Sequence, residues 1–153
     1  MIEINYNIDA VAGWKKNFPH FKKYISKTVN ATLNIVDVGV TKNVSITFLF
    51  TSNKKIKELN MKFRKKNKPT NVLSFPMQST YMDNYLLGDI VLANQTLLQE
   101  SIELRVKKYD YLSKMTIHGM LHLLGYDHKT EKQYKQMKKF ENLIYNAVKL
   151  KLW

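Results

Sequence analysis

His118, His122 and His128 fall within one short stretch, His118-Gly-Met-Leu-His122-Leu-Leu-Gly125-Tyr-Asp-His128. On a helix, residues four apart lie one turn above each other on a single face, so the first two imidazoles can reach a common point. Gly125 follows the last helical residue and readily adopts the left-handed cap that reverses a chain, which would bring His128 back toward the same point. Three neutral imidazoles would then meet one metal ion and leave a fourth tetrahedral position open, as in catalytic rather than structural zinc sites. The chain has no cysteine. Disulfides and thiolate ligands are thereby excluded, and the composition fits a reducing compartment. We therefore expect one Zn2+ per chain, held by His118, His122 and His128. His20, the remaining histidine, has no chelating neighbour and is expected at the surface.

The elements that must position these side chains can be read from hydrophobic period. Met115, Ile117, Met120, Leu121, Leu123 and Leu124 surround the histidine pair on nearly every side, which predicts a buried helix from about residue 109 to 124. Buried imidazoles need polar partners, and a shared metal satisfies two at once. Upstream, Ile2, Ile4, Tyr6 and Ile8 alternate as in a half-buried strand. A helix is expected from about Pro19 to Leu33, with Pro19 in its first turn, and a buried strand over Val44–Phe50. Ser52 is a plausible N-cap for a basic helix reaching Lys66. A short strand over Asn71–Phe75 should end at Pro76, followed by a flexible surface connection over residues 77 to 85. A strand over residues 86 to 93, a helix to around Val106, and a last helix from about Glu131 to Leu150 complete the chain. Tyr134, Met137, Ile144, Tyr145 and Val148 form the apolar face of that last helix. The order predicts an α+β fold: a single small domain over residues 1–153, with a mixed sheet of about four strands flanked by helices.

Charge narrows the partners. Twenty-five Lys and Arg against twelve Asp and Glu give a formal charge of +13. Such an excess favours polyanions, nucleic acid first, through counterion release. All but Arg64 and Arg105 of these cations are lysines spread along the chain, so a compositional bias would give the same total. The densest run, between residues 54 and 68, leads directly to Arg64; Lys129–Lys139 either extends it or forms the solvated face of the last helix. No apolar run is long enough to cross a bilayer, and the N-terminus lacks the basic-then-apolar pattern of a secretory signal, so a cytoplasmic protein with no membrane partner is expected.

The histidine spacing matches the H-x-x-x-H-x-x-G-x-x-H part of the metzincin peptidase signature, but Gly119 stands where those enzymes carry the glutamate general base. The full string His118–His128, with Glu58-Leu-Asn-Met-Lys-Phe-Arg64, Pro69-Thr-Asn-Val-Leu-Ser-Phe-Pro76 and Leu87-Gly-Asp-Ile90, resembles the YbeY family of bacterial endoribonucleases over roughly residues 44 to 145. The resemblance implies a YbeY-like fold and zinc-dependent cleavage of single-stranded RNA. It further implies maturation of the 3′ end of small-subunit ribosomal RNA and ribosome quality control, with ribosomal RNA and the small subunit or its assembly factors as partners. It carries the metal ligands onto His118, His122 and His128 and the functionally important arginine onto Arg64. Arg64 and His118 are then the expected catalytic residues, with Arg64, Lys65, Lys66 and Asp89 contacting substrate. Asp127 either orients an imidazole or caps its own turn; Ser74 and Phe75 are expected to pack within their strand. Asn71 replaces the aspartate common in the family, which puts in doubt any role needing a carboxylate there. An RNA- or ribosome-binding assembly factor with a structural metal is the alternative reading.

Overall fold

The alternating apolar residues of the N-terminus form strand β1 (Ile2–Ile8) in the computed structural model, which describes residues 1–39 and 43–151. It is followed by α1 (Trp14–Asn17), α2 (Phe21–Ile35), β2 (Asn43–Thr51), α3 (Asn53–Arg64), β3 (Val72–Tyr81), β4 (Asn84–Ala93), α4 (Asn94–Glu103), α5 (Lys108–Leu123) and α6 (Glu131–Lys151). The sheet order is β1-β2-β4-β3, with β1, β2 and β4 parallel and β3 antiparallel to β4. This is the expected α+β domain with a four-stranded mixed sheet between helices. Among the described residues no helix is long and apolar enough to cross a membrane.

Both faces of β4 are buried, as its near-continuous apolar run requires. Ile90 and Leu92 join Phe48 and Phe50 of β2 under Ile25 and Val29 of α2 and Leu112 and Met120 of α5. Val91 and Ala93 point the other way, where Ile56 of α3 packs with Leu73 of β3. On its outer side α5 meets α6 and α2 through Ile117, Leu121, Met137, Ile144 and Val148. The histidine-bearing helix is therefore buried between sheet and helices. Tyr134, assigned above to the apolar face of α6, is instead exposed.

Several boundaries differ from expectation. Residues 77 to 85 are not a loose connection: β3 continues through Pro76 to Tyr81 and pairs Tyr81 with Asn84 in a hairpin. Pro76 does not stop the strand because β3 lies at the sheet edge, where a missing N–H is tolerated. The register shifts between Pro76 and Ser79, with Gln78 at φ 47°, and these side chains are exposed, so no clean alternation was written there. Helix α2 starts after Pro19, at Phe21. Ser52 caps α3, accepting from the Lys55 N–H at 3.3 Å, but that helix stops at Arg64 because Lys65 turns left-handed at φ 57°. The four-residue α1 is too short to show a helical period in the sequence; its Trp14 is buried and donates Nε1–H to the Thr51 carbonyl at 3.0 Å.

Candidate metal centre

Helix α5 ends in the cap that Gly125 permits. At φ 96°, Gly125 donates to the His122 carbonyl at 3.1 Å and Tyr126 to the Leu121 carbonyl at 3.0 Å, the paired bonds of a Schellman motif. The chain then folds back through Asp127 and His128. Helix α6 starts three residues after His128, at Glu131, in a reciprocal capping box: Thr130 Oγ1 accepts from the Gln133 N–H, and Gln133 Oε1 accepts from the Thr130 N–H. These two devices fix the loop carrying His128 at both ends.

The three imidazoles meet. Ring centroids lie 4.7 Å apart for His118 and His122, 5.2 Å for His122 and His128, and 5.6 Å for His118 and His128. One ring nitrogen from each falls within 4.8 Å of the others. The Nε2 atoms of His118 and His122 are 3.2 Å apart, close to the edge of a tetrahedron with metal–nitrogen bonds of about 2 Å. The donor set fits a divalent ion of zinc type. Burial, and then the neighbouring His118 and His128 rings, lower the pKa of His122 and favour the neutral form that a metal needs.

A carboxylate absent from the expectations touches this group. Glu141 of α6 places Oε1 2.9 Å from His118 Nδ1. Burial alone would raise its pKa, but the hydrogen bond and charge of His118, with the charges of Lys138 and His122, hold it below the ordinary value. Glu141 lies on α6, and only the fold brings it to His118; the preserved i, i+4 spacing of α5 gives no hint of it. Asp127 instead accepts from the backbone N–H of His128 at 2.8 Å, a bond that lowers its pKa. Of its two expected readings, the turn contact is the one present.

The histidines open into a cleft of about 850 Å³ that wraps the free edge of β3. Arg64, at the end of α3 on the other side of the sheet, lines the same cleft, as do Phe63, Ser74, Phe75, Met115 and Lys129. Lys65 and Lys66 are exposed just beyond Arg64 but are not among the lining residues. Asp89 pairs with Phe75 and Thr47 within the sheet and also lies outside the lining; partial burial raises its pKa. Ser74 donates to the Gly119 carbonyl at 3.2 Å, tying β3 to α5. His20 is exposed, as expected. Asn71 donates to Glu100 Oε2 at 2.9 Å and to the Tyr111 hydroxyl at 3.3 Å, so the amide satisfies a position where a carboxylate would face another carboxylate.

A mixed four-stranded sheet flanked by helices, with three converging histidines in a cleft beside its edge strand, defines the class: a small α+β domain built around a cleft that could hold a metal ion. Comparison with known proteins names the family. The family model described as "Endoribonuclease YbeY" matches residues 11–149. The Endoribonuclease YbeY of Bartonella bacilliformis is 38% identical over 99% of this chain and 96% of its own length, and that of Buchnera aphidicola 40% identical over 94% and 90%. A solution structure of a Thermotoga maritima protein shares the fold at TM-score 0.54 and 24% identity, covering 99% of this chain and 94% of the other. The chain belongs to the YbeY family.

Proposed function

We propose that this chain is a metal-dependent endoribonuclease that cuts single-stranded RNA, with the 3′ end of small-subunit ribosomal RNA and ribosome quality control as its setting. The observation that carries the reading is that three converging imidazoles and Arg64, from opposite sides of the sheet, line one cleft in a domain of formal charge +13. The names of the relatives point to the same reaction class.

His118, His122 and His128 would hold a divalent metal such as zinc, which would supply Lewis acidity toward a phosphoryl group. The chain's own groups do the rest. Arg64 presents a planar fork of N–H donors that matches two phosphate oxygens and offsets charge developing on them. Lys129 adds a second cation at the other wall of the cleft, and the exposed Lys65 and Lys66 extend positive charge along the approach. Glu141 keeps the His118 ring oriented. On this reading the small ribosomal subunit or its assembly factors are partners, and the protein works in the cytoplasm.

The test compares wild type, His118→Ala and Arg64→Ala on a single-stranded fragment of ribosomal RNA, with cleavage products, RNA binding and metal content measured on each sample. His118→Ala should lose both metal and cleavage. Arg64→Ala should keep its metal and lose about 100-fold in rate. Cleavage by folded, metal-free His118→Ala at the wild-type rate would sink the proposal. RNA binding without cleavage in metal-loaded wild type would favour the assembly factor with a structural metal.

A further inference from the structure

Phe63 is a large apolar ring left 55% exposed at the end of α3, immediately before Arg64, and it lines the same cleft. The inward face of α3 is set by Ile56 and Leu59, which rest on the sheet. Phe63 continues that face one turn past the core, where its contact is the Phe75 ring of the edge strand, at 5.0 Å between centroids and 65° between planes. The edge-to-face contact holds the ring in place and leaves much of its surface open. Lys62 Nζ lies over the ring, 5.2 Å from its centroid, so a base would stack on the other face or displace this exposed ammonium.

Two of the polar side chains on the neighbouring wall are already committed, which leaves Thr70 and Asp127 among the other uncharged or acidic groups beside the histidines. The Asn71 amide is committed to Glu100 and Tyr111, and the Ser74 hydroxyl to the Gly119 carbonyl. Apolar side chains, among them Val72, Leu73 and Met115, make up much of what remains, with Arg64 and Lys129 as cations. Cations suit phosphates; an open aromatic ring suits the π-face of a base, which every nucleotide possesses and which a duplex keeps covered by its neighbours.

We propose that Phe63 is the stacking platform for an unpaired nucleobase adjoining the phosphate that Arg64 engages. The inference rests on the reading of this cleft as an RNA site and deepens it. Phe63 would select for single strands without selecting a particular base, because stacking tolerates any sequence.

The full-length, metal-loaded protein is mixed with a short fluorescent single-stranded RNA and with a matched set in which each nucleotide in turn is abasic. Binding is read by anisotropy immediately after mixing, and cleavage on the same samples. In wild type one abasic position should weaken binding about tenfold. Phe63→Ala should show that loss already on intact RNA and no further loss at the abasic position. Phe63→Trp should bind as wild type does, and Phe63→Leu, which still covers Phe75 but cannot stack, should resemble Phe63→Ala. Unchanged metal content and melting temperature verify that each variant folds. Wild-type binding by Phe63→Ala, or an abasic penalty of the same size in wild type and Phe63→Ala, overturns the proposal and leaves the exposed ring as a protein-docking residue. Because binding is read apart from cleavage, a wild type that binds but does not cut tells against the nuclease reading alone.

Discussion

Glu141 Oε1 stands 2.9 Å from His118 Nδ1, joining the last helix of the chain to the first histidine of the cluster. A neutral imidazole carries one N–H. With that proton on Nδ1 and donated to Glu141, the lone pair of Nε2 faces the cluster, where Nε2 of His122 lies 3.2 Å away.

Loss of the carboxylate should therefore loosen the metal more than the fold. Glu141→Ala is expected to weaken metal binding about 10- to 100-fold in chelator competition, and Glu141→Gln, which keeps an acceptor, by less. Equal affinity in all three proteins would remove Glu141 from the metal site.

Gly119 sits where the peptidase signature has a glutamate, and packing as well as identity excludes that residue. A Cβ at this position would lie 3.1 Å from Ser74 Oγ, 3.3 Å from Val72 Cγ2 and 3.4 Å from Ile90 Cδ1. Gly119→Ala should cost about 1–3 kcal/mol through overpacking, lessened by up to about 1 kcal/mol of helix propensity. Gly119→Glu would force a carboxylate against the sheet and should cost more than about 4 kcal/mol, enough to unfold a domain of ordinary stability. Thermal denaturation reads both, and a native-like melt for Gly119→Glu would contradict the close approach of α5 to β3 and β4.

At Asn71 a carboxylate can be introduced without changing side-chain size. Asn71→Asp would set a carboxylate against Glu100, where the amide now donates at 2.9 Å. The variant should be less stable than wild type at neutral pH, recover as the pair takes up a proton in mild acid, and recover at all pH values when Glu100→Gln is added. A melting temperature for Asn71→Asp that does not change with pH would disprove the coupling.

Tyr111 gives a pH dependence of definite sign. Burial, followed by the hydrogen bond and charge of Glu100, pushes its hydroxyl up to about 12, with the Asn71 amide acting in the opposite direction. In the unfolded chain a tyrosine ionises near pH 10. Above that pH the unfolded state has released a proton that the folded state still holds. The contribution is thus full below about pH 10 and lost as pH rises toward 12. Melting temperatures measured across that range should fall more steeply for wild type than for Tyr111→Phe, and tyrosinate absorbance should lose its latest-titrating group in that variant, while Tyr6 and Tyr145, which burial also pushes up, remain.

Local pattern carried the histidine site a long way. The spacing of His118 and His122, the apolar surround and the Gly125 turn each follow from short-range rules, and α5 and its cap form as those rules require. Glu141 was out of reach because it arrives from another helix, and only the packing of α6 on α5 brings it to His118. The outer half of β3 escaped for a different reason: an exposed edge with a shifted register has no buried face to impose alternation on residues 77 to 81. Phe63 reads as one more apolar position on α3; that the core ends before it is a property of the tertiary fold.

The edge strand bordering the cleft has one more consequence. Extended peptides commonly bind by adding a strand to a free sheet edge, using a continuous row of backbone donors and acceptors. Here Pro76 has no N–H to offer, and the irregular register between Pro76 and Ser79 interrupts the row beside it. A nucleic acid strand needs no such ladder. A polypeptide strand added along this edge would therefore have its ladder broken at Pro76, whereas a nucleic acid strand lying across the same border would meet no such interruption.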